Sequence, residues 1–198
     1  MLNGDHVNYH FQPIISAKTG ETMAYEALMR VDMPSLHSPA TVMRLAREQN
    51  KLYEIEYLTL FHASEQFLSW RQSGALKPKA KLFLNSIANI CLNDADWSAY
   101  YDRYQDLLPQ VVIEITEEEA PDSALLDRKR RRMNGVGEFA LDDYGSGYSN
   151  SNTLLELAPA YIKVDIGIVG GIDADPDKQQ VAEGIISYAH DHGMKIVA

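Results

Sequence analysis

Seven polar residues lie towards the ends of five predicted strands, where a buried strand would carry apolar side chains. They are Glu26, Asn85, Glu114, Asp142, Asp143, Lys163 and Asp165. An unpaired charge is costly to bury, so a single case would be explained as a strand-end charge or half of an ion pair. Five strands with the same feature indicate one common centre.

The side-chain types in this set favour a hard divalent cation. Carboxylates with one amide oxygen are ligands that Mg²⁺ and Mn²⁺ prefer. Zinc is not favoured, because Cys91 is the only cysteine and the six histidines are scattered. Adjacent Asp142 and Asp143 could reach two ions, since a chain can leave strict alternation at a strand's end.

Two ions would hold the attacking and leaving oxygens of a phosphoryl displacement. Lys163 would orient the attacking water or stabilise developing negative charge. The residues therefore predict metal-dependent phosphoester chemistry. The competing interpretation of "LDDYGSGYSN" (141–150) is a strand that ends in a polar turn.

The segment that follows the two aspartates is rich in glycine. Gly145 and Gly147 can adopt positive φ and bring backbone amides close to a ligand or to a partner subunit. A hinged loop beside the candidate centre is therefore expected.

The elements that would position these residues alternate along the chain. Strands are predicted at 9–16, 21–29, 81–87, 111–117, 138–144, 161–166 and 195–198, and helices at 38–50, 53–70, 97–108, 120–133, 150–157 and 177–191. The connector "AKTG" between the first two strands permits only an antiparallel hairpin. The later strand–helix rhythm predicts a mainly parallel sheet, open or closed into a barrel, with its ligand site at the carboxyl ends of the strands.

Composition excludes several classes of protein. Lys and Arg number 18 and Asp and Glu 28, a net charge of −10 that argues against binding DNA or RNA polymers. No apolar run approaches the roughly 20 residues of a membrane span. A single cysteine suits a reducing cytoplasmic setting, although the cytoplasmic domain of a larger protein would look the same. The basic run "DRKRRR" (127–132) is predicted to be a solvated helix face.

Six short motifs occur in one order across nearly the whole chain. They are "FQPI" (11–14), "YEALMR" (25–30), "LNS" (84–86), "EITE" (114–117), "DDYGSGYS" (142–149) and "IKVD" (162–165). Together they resemble EAL domains, which hydrolyse the bacterial second messenger cyclic di-GMP.

The resemblance implies a single EAL-type domain over 1–198 and a TIM-like (β/α) barrel whose first strand runs antiparallel. The barrel would be incomplete at the C-terminus, with the seventh strand cut at Ala198 and the eighth strand absent. The implied function is a metal-dependent phosphodiesterase that opens cyclic di-GMP to linear pGpG in signal transduction, with two Mg²⁺ or Mn²⁺ ions and a homodimer. The alternatives are a receptor that holds cyclic di-GMP without cleaving it and a dimerisation module.

The resemblance also implies a role for each site residue. The metal ligands would be Glu26, Asn85, Glu114 and Asp142, with Asp143 on the second ion, and the catalytic residues would be Lys163 and Asp165. Gln12 and Arg30 would bind the dinucleotide. Support of the loop would come from Glu117, Gly145, Ser146 and Gly147.

Ordinary structural interpretations stay open for some of these residues. Glu117 could be one of the acids that favour a helix start. Lys163 and Asp165 could form a structural ion pair. Gln12 and Arg30 could be common surface residues.

Overall fold

The computed structural model describes residues 7–32, 38–116, 122–146 and 151–198, with the side chains of residues 151 and 152 excepted. Within these ranges the chain forms one seven-stranded sheet with helices packed on its outer side. No helix in the described ranges has the length and apolar character to span a membrane.

The strands are paired in the order in which they occur in the chain. They are β1 (Val7–Ile15), β2 (Thr22–Val31), β3 (Lys81–Ser86), β4 (Val111–Thr116), β5 (Glu138–Tyr144), β6 (Tyr161–Val164) and β7 (Lys195–Val197). β1 and β2 are antiparallel, and every later pair is parallel. The predicted antiparallel hairpin followed by a parallel sheet is therefore confirmed.

Seven α-helices connect or follow the strands in the described ranges. They are α1 (Pro39–Glu48), α2 (Leu52–Gln72), α3 (Asp94–Tyr104), α4 (Ser123–Met133), α5 (Ser151–Leu157), α6 (Ile166–Val169) and α7 (Pro176–Asp191). Asn93, Asp122, Asp165 and Asp175 begin four of them, each accepting a hydrogen bond from a backbone N–H of the first turn. Asp165 explains why β6 ends at Val164 rather than at the predicted residue 166.

Two apolar clusters cover the two faces of the curled sheet. The larger one fills the space between the sheet and the helices and includes Phe67, Leu84, Tyr100 and Ile115. The smaller one lies on the inner face and consists of Ala24, Phe83, Val112, Ala140 and Tyr161. We call this inner cluster the apolar floor.

Candidate active site

A layer of polar side chains follows the apolar floor on the inner face of the sheet. Side chains on a strand alternate between its two faces, so the residue two positions after each floor residue shares its face. These positions hold Glu26, Asn85, Glu114, Asp142 and Lys163. Five neighbouring strands, β2 to β6, thus bring one polar residue each to the same layer, near the carboxyl ends of the parallel strands.

Three carboxylates of this layer converge on one ammonium group. The Nζ of Lys163 lies 2.6 Å from Glu114 Oε1, 3.1 Å from Asp142 Oδ2 and 3.2 Å from Glu26 Oε2. One oxygen from each carboxylate lies within 4.8 Å of the others. The predicted common centre therefore exists for these four residues.

Glu114 is the most deeply buried member of the cluster, with 0% of its surface exposed. Burial raises the pKa of its carboxyl group to about 8, and Glu26 and Asp142 add to the rise while Lys163 partly opposes it. Its Oε2 atom has no hydrogen-bond partner among the described residues. A buried carboxylate oxygen without a hydrogen-bond partner is costly, which points to a further donor or cation at the site.

Lys163 balances part of this negative charge. Burial alone would lower the pKa of its ammonium group, but the carboxylates of Glu114, Asp142 and Glu26 outweigh burial and raise that pKa. The lysine is therefore a firmly charged group inside the cluster.

Asn85 lies beside Glu114 in the sheet. The Cα atoms of the two residues are partners in the β3–β4 register, and Asn85 is half-buried. This register places Asn85 next to the strand that carries Glu114. The role of Asn85 as a metal ligand stays a prediction.

Asp143 leaves the alternation of β5. The β5–β6 register shifts between Leu141 and Tyr144, and Asp143 has a φ of 54°. Its N–H donates to Oδ1 of Asp142 at 2.9 Å. The expected break in alternation at the paired aspartates is present, but the compact carboxylate cluster contains Asp142 and not Asp143. A role for Asp143 on a second ion stays a prediction.

Asp165 forms hydrogen bonds with nearby backbone groups. Its Oδ1 accepts from the N–H of Gly167 at 2.8 Å, and its own N–H donates to Tyr144 O at 3.1 Å. The ion pairs of Lys163 run to the three cluster carboxylates rather than to Asp165, so the alternative of a Lys163–Asp165 ion pair does not describe this structure.

The two predicted substrate-binding residues lie on the antiparallel hairpin. Gln12 is exposed and pairs with Glu26 across β1 and β2, so it adjoins the carboxylate cluster. Arg30 is exposed four residues beyond Glu26, and its guanidinium donates to Met29 O at 2.9 Å.

Gly145 and Ser146 form the start of the predicted loop. Gly145 has a φ of 94°, and the Ser146 N–H donates to Asp143 O at 3.2 Å. The expectation of positive φ thus holds at Gly145. Glu117 and Gly147 lie outside the described residues.

The basic run at 127–132 is only partly the solvated helix face that the sequence predicts. Lys129 is 7% exposed and forms an ion pair with Glu56, and Arg132 donates to Leu92 O. The local pattern missed this because the partners lie 73 and 40 residues away in the chain.

The family profile described as "EAL domain" matches residues 1–198. The chain belongs to the EAL domain family. The resemblance seen in the six motifs is therefore confirmed.

Several relatives of this EAL domain have names that include cyclic di-GMP phosphodiesterase. The chain is 27% identical over 196 residues to the bifunctional diguanylate cyclase/cyclic di-GMP phosphodiesterase MucR of Pseudomonas aeruginosa. The match covers 96% of this chain and 28% of MucR. Other relatives are named cyclic di-GMP phosphodiesterases. The chain thus spans less than a third of the length of MucR.

Solved EAL structures share the fold. The Xanthomonas citri FimX EAL domain in complex with c-diGMP has a TM-score of 0.79 at 21% identity, covering 98% of this chain and 77% of that one. The manganese/cy-diGMP complex of Klebsiella pneumoniae BlrP1 has a TM-score of 0.75 at 22% identity, covering 98% and 49%. At these identities the likeness shows the architecture.

The donor set of this EAL domain fits a divalent cation. Three carboxylates and a neighbouring amide supply only oxygen ligands, and one buried carboxylate oxygen lacks a partner among the described residues. Oxygen ligands of this kind suit Mg²⁺ or Mn²⁺.

Proposed function

We propose that this chain is a metal-dependent phosphodiesterase that hydrolyses cyclic di-GMP to linear pGpG. The observation that carries the proposal is the convergence of Glu26, Glu114 and Asp142 on Lys163, from strands β2, β4, β5 and β6 of one sheet. Membership of a family whose relatives are named cyclic di-GMP phosphodiesterases supports the choice of substrate.

Glu26, Glu114 and Asp142 would hold the first Mg²⁺ or Mn²⁺ ion with Asn85, and Asp143 would contribute to a second ion. When bound, such ions supply Lewis-acid stabilisation of the charge that develops on phosphoryl oxygens. The name of the manganese complex of BlrP1 supports this choice of cation.

The chain's own residues would orient the reactants. Lys163 is charged and partly buried beside the carboxylates, so its ammonium group can hold the attacking water or donate to a phosphoryl oxygen. Gln12 and Arg30 lie on the neighbouring hairpin, where they would bind the dinucleotide, and an arginine pairs well with phosphate.

The proposed reaction is a single in-line displacement. Water adds to one phosphorus atom as the bond from that phosphorus to the 3′ oxygen breaks. The 3′ oxygen takes up one of the water's protons, and the water's oxygen stays with the other proton in the new 5′-phosphate. Asp165 would assist the proton transfer beside Lys163.

The test is an incubation of the 198-residue chain with Mn²⁺ and cyclic di-GMP, with products separated by chromatography. We expect pGpG from the wild type and none from Glu114→Ala. The matched control is Glu138→Ala, which changes a glutamate of the adjacent strand that is ion-paired with Lys81 away from the cluster. Binding of cyclic di-GMP without product would replace the enzyme with the receptor. Folded protein with neither binding nor product would overturn the assignment of the ligand.

The homodimer and the cytoplasmic location belong to the same proposal. They rest on the family resemblance and on the reducing setting that a single cysteine suits. Sedimentation of the purified chain with and without cyclic di-GMP measures the oligomeric state.

A further inference from the structure

A buried ion pair lies behind the candidate site, on the outer side of the sheet. Lys129 of α4 places its Nζ 2.8 Å from Oε1 of Glu56 in α2, and their side chains are 8% and 3% exposed. The pair takes no part in the proposed reaction. Its two charges have nonetheless been largely removed from water, which is costly before any compensation.

The side chains of Glu56 and Lys129 both contact the end of β3. The Ser86 hydroxyl donates to Glu56 Oε1 at 2.6 Å, and the Ile87 N–H donates to Glu56 Oε2 at 2.8 Å. Lys129 also donates to the Ser86 hydroxyl. Glu56 Oε1 therefore accepts from the side chain of Ser86, and Glu56 Oε2 accepts from the backbone of the next residue, Ile87.

Helix α4 holds the loop after β3 by two further contacts. The Asp122 N–H donates to Asn89 Oδ1 at 2.7 Å, and Arg132 donates to Leu92 O. The segment that leaves the strand is therefore fixed along its length and not only at Ser86.

Stability alone is a weak reason for such a pair. Apolar residues of similar volume in place of a buried ion pair are often equally or more stabilising. What apolar residues cannot do is hold a hydroxyl and a backbone N–H in fixed directions at one strand end.

The residue that this arrangement fixes is Asn85. Ser86 faces outward into the ion pair, so Asn85 faces inward, where its Cα is the register partner of Glu114. We propose that Glu56, Lys129 and Ser86 are positioning residues that set the place of the Asn85 amide in the metal site. This inference rests on the proposed function, because it takes Asn85 as a ligand of the cation.

The test measures the affinity of the chain for Mn²⁺ alone by calorimetry. We expect Ser86→Ala and the paired change Glu56→Gln with Lys129→Met to weaken Mn²⁺ binding about tenfold or more, as loss of outer partners of metal ligands does. Arg131→Met is the matched control, since Arg131 lies on the same helix with 72% of its side chain exposed, and it should bind Mn²⁺ as the wild type does.

The decisive comparison repeats these changes in an Asn85→Ala background. If the network acts through Asn85, Ser86→Ala should weaken Mn²⁺ binding there by less than twofold. An equal weakening in both backgrounds would show general damage to the fold and overturn the inference. Circular dichroism and urea unfolding verify that each variant is folded. If the variant with the paired change does not fold, Ser86→Ala alone tests the inference, because it leaves both charges in place.

Failure of the two proposals gives different results. A wild type that binds no Mn²⁺ overturns the metal site and this inference together. A wild type that binds Mn²⁺ and forms pGpG, while Ser86→Ala or Asn85→Ala keeps full affinity, overturns only the inference.

Discussion

The Lys163 ammonium group lies 2.6 Å from the Glu114 carboxylate, in the polar layer above the apolar floor. Glu26 and Asp142 share the same ammonium at 3.2 and 3.1 Å. One lysine thus neutralises part of the charge of three acids, and the site keeps an excess of negative charge that a divalent cation would complement.

Removal of this lysine should destabilise the metal-free protein. Lys163→Met leaves three largely buried acids without the ammonium group, and we expect the free energy of unfolding to fall by about 3 kcal/mol. Added Mn²⁺ should restore part of the loss, because a ligand that binds only the folded state stabilises it. Urea unfolding in a chelator and then in Mn²⁺ measures both effects.

Lys51→Met is the control for that experiment. Lys51 forms an exposed ion pair with Glu54, so its loss should change the free energy of unfolding by about 1 kcal/mol or less. Equal stability of Lys163→Met and Lys51→Met in the chelator would contradict the role of Lys163 as the internal counter-ion.

The stability of the metal-free protein should depend on pH through Glu114. Burial raises the pKa of this carboxyl group from 4.5 to about 8, so the folded state binds more protons than the unfolded state between these values. The free energy of unfolding should therefore fall as the pH rises through this range. Urea unfolding of the wild type and Glu114→Gln at several pH values tests this. Parallel curves for the two proteins would refute it.

Gly145 should not tolerate a side chain. Its φ is 94°, and a Cβ atom there would lie 2.3 Å from Cδ1 of Ile168. We expect Gly145→Ala to reduce the free energy of unfolding by about 1–3 kcal/mol. Gly184→Ala is the control, since Gly184 lies in α7 and an added Cβ would meet no described residue within 4 Å beyond its own chain neighbours and helix backbone. That change should stabilise the helix by up to about 1 kcal/mol. Similar unfolding midpoints for the two variants would contradict the expected strain.

Substitutions at Asp165 should separate a structural from a chemical role. Asn retains an oxygen that can accept from the Gly167 N–H, so Asp165→Asn should keep the stability of the wild type, whereas Asp165→Ala should lose about 1 kcal/mol. If Asp165 also moves a proton, both variants should form pGpG more slowly. Wild-type turnover by Asp165→Asn would reduce Asp165 to a helix cap.

Much of the fold follows from local pattern. The short connector between the first two strands determines their antiparallel pairing, and apolar runs separated by helices predict the parallel order of the rest. Element ends were less predictable. α3 begins at Asp94 rather than near residue 97, because the Asn93 side chain accepts from the Asp96 N–H and starts the helix earlier.

The candidate site was predictable because five apolar strands each carry a polar residue towards one end. Parallel strands place such ends at the same edge of the sheet, where the ligand site lies. The network of Glu56 and Lys129 could not be found in that way. Each residue lies in a helix whose charged positions are usually solvated, and only the packing of α2 and α4 around β3 brings them together.

The apolar floor also affects the electric field of the charged side chains in the polar layer above it. Val112 and Ala140 are fully buried, and Phe83 is 1% exposed, so the medium beneath the carboxylates is poorly polarisable. Solvent therefore cannot screen these charges from the floor. Field lines from the cluster are therefore concentrated away from the floor, which is the direction from which the proposed cation would approach.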